Sequence, residues 1–377
     1  MTERIAPALQ YARPKNYHTV QALRGLAAMA VMLYHFHTAF NLPSFPLGDY
    51  LFKRGDLGVS LFFVISGFVM GLPTYKSGMH SAWEFAAKRL ARIAPLYLIA
   101  TVVWCYVSIP GFSPVADILD LIKAAIFYPL GSSPAPVYGA KLFVGWTLNY
   151  EMLFYAVLAI GILVGRPWVV LAVFFLSTLW VRPTLDGALS WDPFVEYGYR
   201  VGYLRLASNP IVWNFLIGVL AARALRIIPS IGREAQIMLC AFVSIAVAWQ
   251  LFSGYNSGFG LVQSGAGFAI LVFAFAWYEK CHGAAVVKPL IFLGNISFSL
   301  YIWHFVLHVW LSEYLTKIGM LEYSRGFLYG LTVSALSIVV ARISYLLIEQ
   351  RLSNWVRDLI LSTAPGRHAD AVDQAKA

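Results

Sequence analysis

The feature that most constrains this chain is a series of long apolar stretches separated by short polar segments. A helical segment of about 20 apolar residues spans the roughly 30 Å of hydrocarbon in a lipid bilayer. The stretches that approach this length predict an all-α, polytopic bundle of about ten transmembrane helices. We place these spans at residues 20–40, 57–73, 92–109, 145–164, 167–182, 210–225, 236–252, 261–278, 296–316 and 326–348.

Two further segments fall outside this pattern. Asp117–Leu130 is too short to span and contains Asp120 and Lys123, which predicts an interfacial or re-entrant helix. The polar, Ala-rich end of the chain predicts a disordered terminus. We therefore divide the chain into a membrane domain, residues 1–350, and a cytoplasmic C-terminal tail, residues 351–377.

The charge distribution predicts the orientation. Only 12% of the residues are charged, about half the ~25% of a soluble protein, yet the net charge is +10. With the N-terminus inside, 18 of the 28 Lys and Arg fall in inner segments, nine in outer segments, and Arg342 inside the last span. Acidic residues balance the outer cations, so the surplus is cytoplasmic, as the positive-inside rule expects. Both termini are predicted to be cytoplasmic, and no nucleic-acid partner is expected.

The first predicted span carries two ionisable residues, Arg24 and His35. Each costs roughly 2.5–3.5 kcal/mol in hydrocarbon on insertion scales, so each needs a partner or a function. Their spacing of eleven residues separates them by about 20° around the helix and about 16 Å along it. We predict that Arg24 binds an anion near the cytoplasmic end and that His35 transfers a proton. The alternatives are a snorkelling arginine and a structural, hydrogen-bonded histidine.

A third ionisable residue, Glu151, lies about six residues into the fourth predicted span. A carboxylate there is expected to face the bundle interior and find a partner. We predict that Glu151 orients His35 or stabilises its charged form, as a carboxylate does in a catalytic dyad. The alternative is a structural ion pair or a protonated acid.

A cationic cluster, Lys88-Arg89-x-x-Arg92, begins the third predicted span. It predicts a cytoplasmic anchor, and its arginines also suit bidentate binding of phosphate. On the ninth span, His304 and His308 share a helix face at a spacing of four. They suggest a metal site, but the spacing supplies no third or fourth ligand, so no metal is expected.

Five motifs follow one another along the chain and together resemble the acyltransferase 3 family of integral membrane O-acyltransferases. They are Gln21-Ala-Leu-Arg24-Gly25 with Tyr34-His35; Gly58-Val-Ser-Leu-Phe-Phe63 with Ser66-Gly67-Phe; Lys88-Arg89-Leu-Ala-Arg92-Ile-Ala-Pro95-Leu-Tyr97; Trp146-Thr-Leu with Glu151 and Phe154-Tyr155; and Gly294-Asn295-Ile-Ser297-Phe-Ser299-Leu-Tyr301-Ile-Trp-His304.

The resemblance implies O-acylation of cell-surface or exported glycans, lipids or small molecules. It implies ten helices with cytoplasmic termini and an essential pair, Arg24 and His35. The fourth motif resembles members that act on exopolysaccharide or lipopolysaccharide sugars. The chain departs from the family at Ser60, where an acid is usual. Either Asp56 substitutes for that acid, or the acid is dispensable in this chain. The chain also departs at Glu349-Gln350-Arg351, which lacks the usual proline.

These observations predict an enzyme that transfers an acyl group, most simply acetyl, from cytoplasmic acyl-CoA to a glycan or lipid-linked sugar. Arg24, Arg89 and Arg92 are predicted to hold the phosphates of the donor. His35 is predicted to act as general base or acyl acceptor, with Glu151 as its partner. The predicted location is the inner membrane of a bacterium. The alternative is a transporter or exporter that uses the same residues as an ion or proton relay.

Overall fold

The computed structural model describes residues 17–109, 111–284, 286–324 and 326–363. These residues form α-helices joined by turns and short 3-10 or π-helical segments, and they contain no β-strand. The α-helices are α1 His18–His35, α2 Leu47–Phe52, α3 Gly58–Gly71, α4 Met79–Ser108, α5 Ile118–Ala125, α6 Trp146–Leu163, α7 Pro167–Leu176, α8 Arg182–Leu185, α9 Gly202–Ser208, α10 Trp213–Ile227, α11 Arg233–Ser253, α12 Ala266–His282, α13 Lys288–Lys317, α14 Phe327–Ser344 and α15 Ser353–Ser362.

Within the described ranges, nine helical segments are long and apolar enough to cross a membrane. They match nine predicted spans and confirm the all-α polytopic architecture. The main difference is at helix starts: α4 begins at Met79 and α13 at Lys288, well before the predicted residues 92 and 296. Hydropathy marks only the apolar part of a helix, whereas both helices continue into polar turns. The nine segments are Leu47–Gly71, Met79–Ser108, Phe143–Leu163, Pro167–Leu185, Pro210–Ile227, Arg233–Ser253, Leu261–His282, Lys288–Lys317 and Phe327–Ser362.

Helix α1 corresponds to the remaining predicted span. It has 18 residues and ends at His35 rather than at residue 40. Its polar residues, Gln21 and Arg24 among them, make it less apolar than the nine segments. Because α1 packs against both α3 and α13, it lies inside the bundle.

Two motif glycines set the crossing of α1 and α13. A Cβ atom at Gly25 would lie 2.6 Å from the backbone nitrogen of Gly294, and one at Gly294 would lie 2.1 Å from the carbonyl oxygen of Gln21. Small residues allow this close approach of two helix backbones. The crossing fixes the helix that carries Arg24 and His35 against the helix that carries His304.

A buried carboxylate caps the start of α1. Glu279, near the end of α12, accepts hydrogen bonds from the backbone nitrogens of His18 and Thr19, both at 2.8 Å. It also accepts one from Thr19 Oγ1 at 2.6 Å. These bonds satisfy free backbone donors of the first helical turn. The start of α1 is therefore held to the end of α12.

Other contacts join helix ends on the same side of the bundle. Arg226, at the end of α10, donates to the carbonyl oxygens of Leu72 and Pro73, just after α3. Lys280 of α12 donates to the carbonyl oxygen of Leu225 at 2.7 Å. The start of α1 and the ends of α3, α10 and α12 thus lie at one end, as the predicted alternation of spans requires.

The predicted helix within Asp117–Leu130 is present but shorter, as α5. Lys141 forms ion pairs with Asp117 at 3.4 Å and Asp120 at 3.2 Å, which hold α5 near the start of α6. Partial burial is the largest effect on Asp120 and acts to raise its pKa. The hydrogen bonds and positive charges of Lys141 and Lys123 together outweigh burial, so this pKa lies below its ordinary value.

Beyond residue 350 the chain remains helical. Helix α14 continues through a π-helical segment, Tyr345–Leu352, into α15. Trp83 Nε1 of α4 donates to the carbonyl oxygen of Ile360 at 3.2 Å, so α15 packs against α4. The predicted disordered terminus begins after Ser362. Thr363 lies in a turn, and residues 364–377 lie outside the described residues.

Candidate active site

A partly open cavity lies among α1, α3, α4, α6 and α13. It brings together four of the five predicted site residues, and we call Arg24, Arg89 and Arg92 its arginine end. Apolar side chains form the remaining walls. The polar lining consists of Arg24, Ser66, Arg89, Arg92, Thr147, Glu151, Tyr155 and Tyr301.

In the described part of the chain, the guanidinium groups of the arginine end have no anionic partner. None of the three forms an ion pair with any described carboxylate. Arg89 lies over the rings of Phe85 and Tyr155, at 5.6 and 5.7 Å. Its buried Nε has no hydrogen-bond partner among the residues that the structure describes. Unpaired guanidinium groups that share one cavity form a binding site for an anion such as phosphate.

Two carboxylates lie near the arginines but bond to other groups. Glu151 accepts hydrogen bonds from Ser66 Oγ at 3.0 Å and from the Tyr155 hydroxyl. Glu349 accepts from the backbone nitrogen and Oγ of Ser299, at 3.1 and 2.5 Å. Both carboxylates are close enough to act electrostatically on Arg24. Because both carboxylates accept hydrogen bonds from other groups, they do not engage the arginine donors. Arg24 Nη1 donates one long hydrogen bond, at 3.5 Å, to Gln21 Oε1.

Tyr75, in the segment between α3 and α4, lies at the same end. Its hydroxyl donates to the carbonyl oxygen of Met70 at 2.8 Å. Burial raises the pKa of Tyr75 to about 12, against the opposing effect of the nearby charge of Arg89. Tyr75 is therefore neutral at physiological pH and adds no negative charge to the arginine end.

His35 pairs with a second histidine, and we call His35 and His304 the histidine end. His304 Nε2 lies 3.2 Å from His35 Nδ1. The same Nδ1 lies 2.9 Å from the carbonyl oxygen of Val31, one turn earlier on α1. The rings of Phe143 and Phe305 pack against His35. His304 itself is fully buried.

Tyr301 stands between the cavity and the histidine end. It lines the cavity, and its ring centroid lies 6.0 Å from that of His304. Its hydroxyl lies 2.9 Å from the carbonyl oxygen of Val144 and 3.0 Å from Thr147 Oγ1. His35 is not among the residues that line the cavity. Tyr301 is therefore a residue of the cavity wall that also lies beside the histidine end.

Glu151 and His35 do not meet. Among the described residues, Glu151 bonds to Ser66 and Tyr155, whereas His35 bonds to Val31 and His304. Glu151, the predicted partner of His35, thus lines the cavity near the arginine end instead. A catalytic role for Glu151 stays a prediction.

The i, i+4 histidines of α13 have separate partners. His304 bonds to His35, and His308 Nδ1 lies 2.9 Å from the hydroxyl of Tyr329 on α14. In the part of the chain that the structure describes, no group of three or more His, Cys, Asp or Glu side chains is arranged to hold a metal ion.

Ser60, which stands where the family usually has an acid, has a defined hydrogen-bond partner in the structure. Ser60 is fully buried, and its Oγ donates to the carbonyl oxygen of Phe259 at 3.1 Å. Asn214 donates to the same oxygen at 2.7 Å. An ionised carboxylate could not donate this hydrogen bond. Asp56 accepts a hydrogen bond from the backbone nitrogen of Leu57 and does not line the cavity.

Three residues of the site were missed as site residues: His304 as a partner of His35, Tyr301 in the cavity wall, and Glu349 beside the arginines. Tyr301 and His304 belong to the last of the five motifs, so this motif was the available signal. Glu349 was noted only as part of an altered terminal motif. Its position depends on how α14 continues toward α15, which hydropathy does not show.

The comparisons with known proteins show the family of the chain. Residues 17–346 match the family described as "Acyltransferase domain". The exopolysaccharide production protein ExoZ of Rhizobium meliloti is 28% identical over 67% of this chain and 76% of its own length. The putative membrane-bound transacylase BcsY of Komagataeibacter xylinus is 26% identical over 89% of this chain and 83% of its own length.

A further relative is the peptidoglycan O-acetyltransferase OatA of Listeria monocytogenes, 23% identical over 78% of this chain and 50% of its own length. No solved structure matches the chain. The family match covers most of the chain, and it favours an enzyme over the transporter considered as the alternative. The chain belongs to the acyltransferase 3 family and is a multi-pass integral membrane acyltransferase.

Proposed function

We propose that this enzyme transfers an acyl group, most simply acetyl, from acyl-CoA to a hydroxyl group of an exported or cell-surface glycan. The observation that carries the proposal is the arginine end. Coenzyme A is rich in phosphate, and each arginine can donate two parallel hydrogen bonds to phosphate oxygens. Three guanidinium groups without ion pairs to described carboxylates, at one cavity, suit such a polyanion.

Helix α1 carries both a proposed donor-binding residue, Arg24, and the proposed base, His35. Arg24 and His35 are separated by about 16 Å along the helix, which suits the pantetheine arm between the nucleotide phosphates and the thioester. The arm would pass Ser66 and Thr147, which line the cavity. Because His35 does not line the cavity in this conformation, the thioester reaches His35 only after side chains of the cavity wall move.

The chemistry is a base-assisted acyl transfer. His35 takes the proton of the acceptor hydroxyl while the hydroxyl oxygen attacks the thioester carbonyl carbon. The carbon–sulfur bond then breaks, and the departing thiolate takes the proton from the imidazolium of His35. The products are an O-acyl ester and free coenzyme A. Transfer through an acylated His35 gives the same products in two steps.

The acceptor and the membrane are proposed from the relatives and from charge. The printed names of ExoZ and OatA refer to an exopolysaccharide and to peptidoglycan, which favours a glycan, free or lipid-linked. The cationic surplus of the inner segments supports a cytoplasmic arginine end. We place the enzyme in the cytoplasmic membrane of a bacterium, with donor and acceptor approaching from opposite sides.

The experiment compares surface and secreted glycans of a strain that lacks the gene with those of complemented strains. Complementation uses the wild type, His35→Ala or, as matched control, His37→Ala. Proton NMR of the purified glycans should show O-acyl signals with the wild type and His37→Ala, and none with His35→Ala. Unchanged glycans across all strains would contradict a glycan acceptor.

A further inference from the structure

We propose that His304 is a positioning residue for His35, with its Nε2 accepting a hydrogen bond from Nδ1–H of His35. This arrangement holds His35 in the tautomer whose Nε2 is the free base. The inference rests on the proposed function, because it concerns the group that takes the proton of the acceptor. It also assigns to a neutral histidine the orienting role that sequence reasoning gave to Glu151.

The carbonyl oxygens determine where the protons lie. Each histidine places Nδ1 beside a carbonyl of its own helix: His35 beside Val31 at 2.9 Å and His304 beside Leu300 at 3.0 Å. A carbonyl oxygen only accepts, so each Nδ1 carries a hydrogen. In a neutral ring the other nitrogen is then an acceptor. His304 Nε2 is therefore the acceptor that faces His35 Nδ1 at 3.2 Å.

Only Nε2 of His35 is then free to act as a base. The hydrogen on His35 Nδ1 is shared between Val31 and His304, so the lone pair of the ring is on Nε2. In the described part of the chain, Nε2 of His35 makes no hydrogen bond. A base with its lone pair fixed and uncommitted is what proton abstraction requires.

The same contact stabilises the charged form. When His35 takes a proton on Nε2, the positive imidazolium keeps its Nδ1–H directed at two acceptors. A carboxylate does this in catalytic triads, but a neutral imidazole does it without placing a second charge in a buried site. The titratable groups that face His35 are His37, His304 and His308, with Tyr34 beside its ring. Asp49 lies behind His37, 3.5 Å from His37 Nε2.

The positions of the two rings depend on the α1–α13 crossing. His304 follows Gly294 on α13, and the Gly25–Gly294 contact sets how these helices meet. His304 is fully buried, so its ring has little freedom to turn away. The pair is thus a fixed element of the bundle rather than a chance contact of two mobile side chains.

The test uses inside-out membrane vesicles from a strain that lacks the gene and is complemented with each variant at matched protein level. Radiolabelled acetyl-CoA is supplied, and label in the glycan fraction is measured against donor concentration and pH. His304→Leu removes the acceptor, His304→Gln supplies an amide oxygen, and His304→Glu supplies a carboxylate. His308→Leu is the matched control, since His308 lies one turn further along α13 and bonds to Tyr329.

His304→Leu should lower kcat roughly 10–100-fold, as loss of an orienting partner does at other sites, with KM for acetyl-CoA unchanged. Its ascending pH–rate limb should move to lower pH by about one unit, because the imidazolium loses an acceptor. His304→Glu should move that limb to higher pH, and His304→Gln should recover most of kcat. His308→Leu should keep kcat near the wild-type value and, because it removes a like charge near His35 rather than an acceptor, should not move the limb to lower pH.

The outcomes separate two failures. If the wild type transfers no label from acetyl-CoA, the proposed function fails and this inference with it. If the wild type is active, the inference is overturned when His304→Leu keeps the wild-type kcat or lowers kcat without moving the pH limb. Should His304→Leu fail to accumulate, His304→Glu decides: an unmoved limb overturns the inference.

Discussion

The arginine end and the histidine end of the site differ in how their polar groups are matched. At the arginine end, three cationic side chains share a cavity without ion pairs to described carboxylates. At the histidine end, His35 and His304 bond to each other and to their own helices, among aromatic rings. Both ends are carried by the same helix, α1.

The difference teaches what each end is for. Unpaired cations beside an open cavity are satisfied only when an anion arrives, so the arginine end is suited to bind a ligand. A matched pair in a packed setting has little left to gain from binding. Its hydrogen bonds instead hold one ring in one orientation, which is the preorganisation that a proton-transfer group needs. Variants should therefore separate binding from chemistry.

The largest effect is expected at His35. His35→Ala should lower kcat by about 10²–10⁴-fold, the usual contribution of a general base, with KM for acyl-CoA little changed. His37→Ala, two residues later and outside the histidine pair, should keep near wild-type kcat. Initial rates of acetyl transfer in vesicles, normalised to protein amount, check both. Wild-type kcat in the His35→Ala enzyme would contradict the assignment of His35 as the general base.

The arginine end should respond in the opposite way. Arg24→Ala removes a charged donor to phosphate worth roughly 1.5–3 kcal/mol, so KM for acyl-CoA should rise about 10–100-fold with a smaller change in kcat. The matched control is Arg54→Ala, since Arg54 bonds to Ser257 and lies outside the cavity of the site. Steady-state kinetics against donor concentration measure both. Loss of kcat at unchanged KM in Arg24→Ala would contradict the assignment.

The helix crossing should matter to both ends through stability. Gly25→Ala places a methyl group 2.6 Å from the backbone of Gly294, so α1 and α13 must separate. Overpacking of this kind costs about 1–3 kcal/mol, seen as a lower melting temperature in detergent. Gly267→Ala in α12 is the control, because its new Cβ would make only ordinary contacts, at 3.4 Å and beyond. Equal melting temperatures for the two variants would contradict the close crossing.

The smallest effect is expected at Glu349. Glu349→Gln keeps an oxygen to accept the bonds from Ser299 but removes a negative charge near Arg24. Less repulsion of the donor phosphates should lower KM for acyl-CoA by about 2–5-fold at low ionic strength, and less so at high salt. A higher KM would show instead that Glu349 orients the arginines.

Sequence reasoning predicted the bundle, and four of its five candidate site residues line one cavity, because both predictions rest on local signals. Apolar length marks nine of the spans, and an eleven-residue spacing puts Arg24 and His35 on one face of α1. The pairing of His35 with His304 could not be read this way, since it joins residues 269 positions apart. The pairing depends on the Gly25–Gly294 crossing of α1 and α13. Sequence reasoning had assigned the role of orienting His35 to Glu151, because a carboxylate commonly has that role.

The most direct test of the account is the binding of free coenzyme A to purified protein in detergent, measured by calorimetry. Coenzyme A carries the phosphates but no acyl group, so it reports on the arginine end alone. We predict that His35→Ala binds it with the wild-type Kd, whereas Arg24→Ala binds it about 10–100-fold more weakly. Weakened binding by His35→Ala, or wild-type binding by Arg24→Ala, would contradict the separation of donor binding and chemistry along α1.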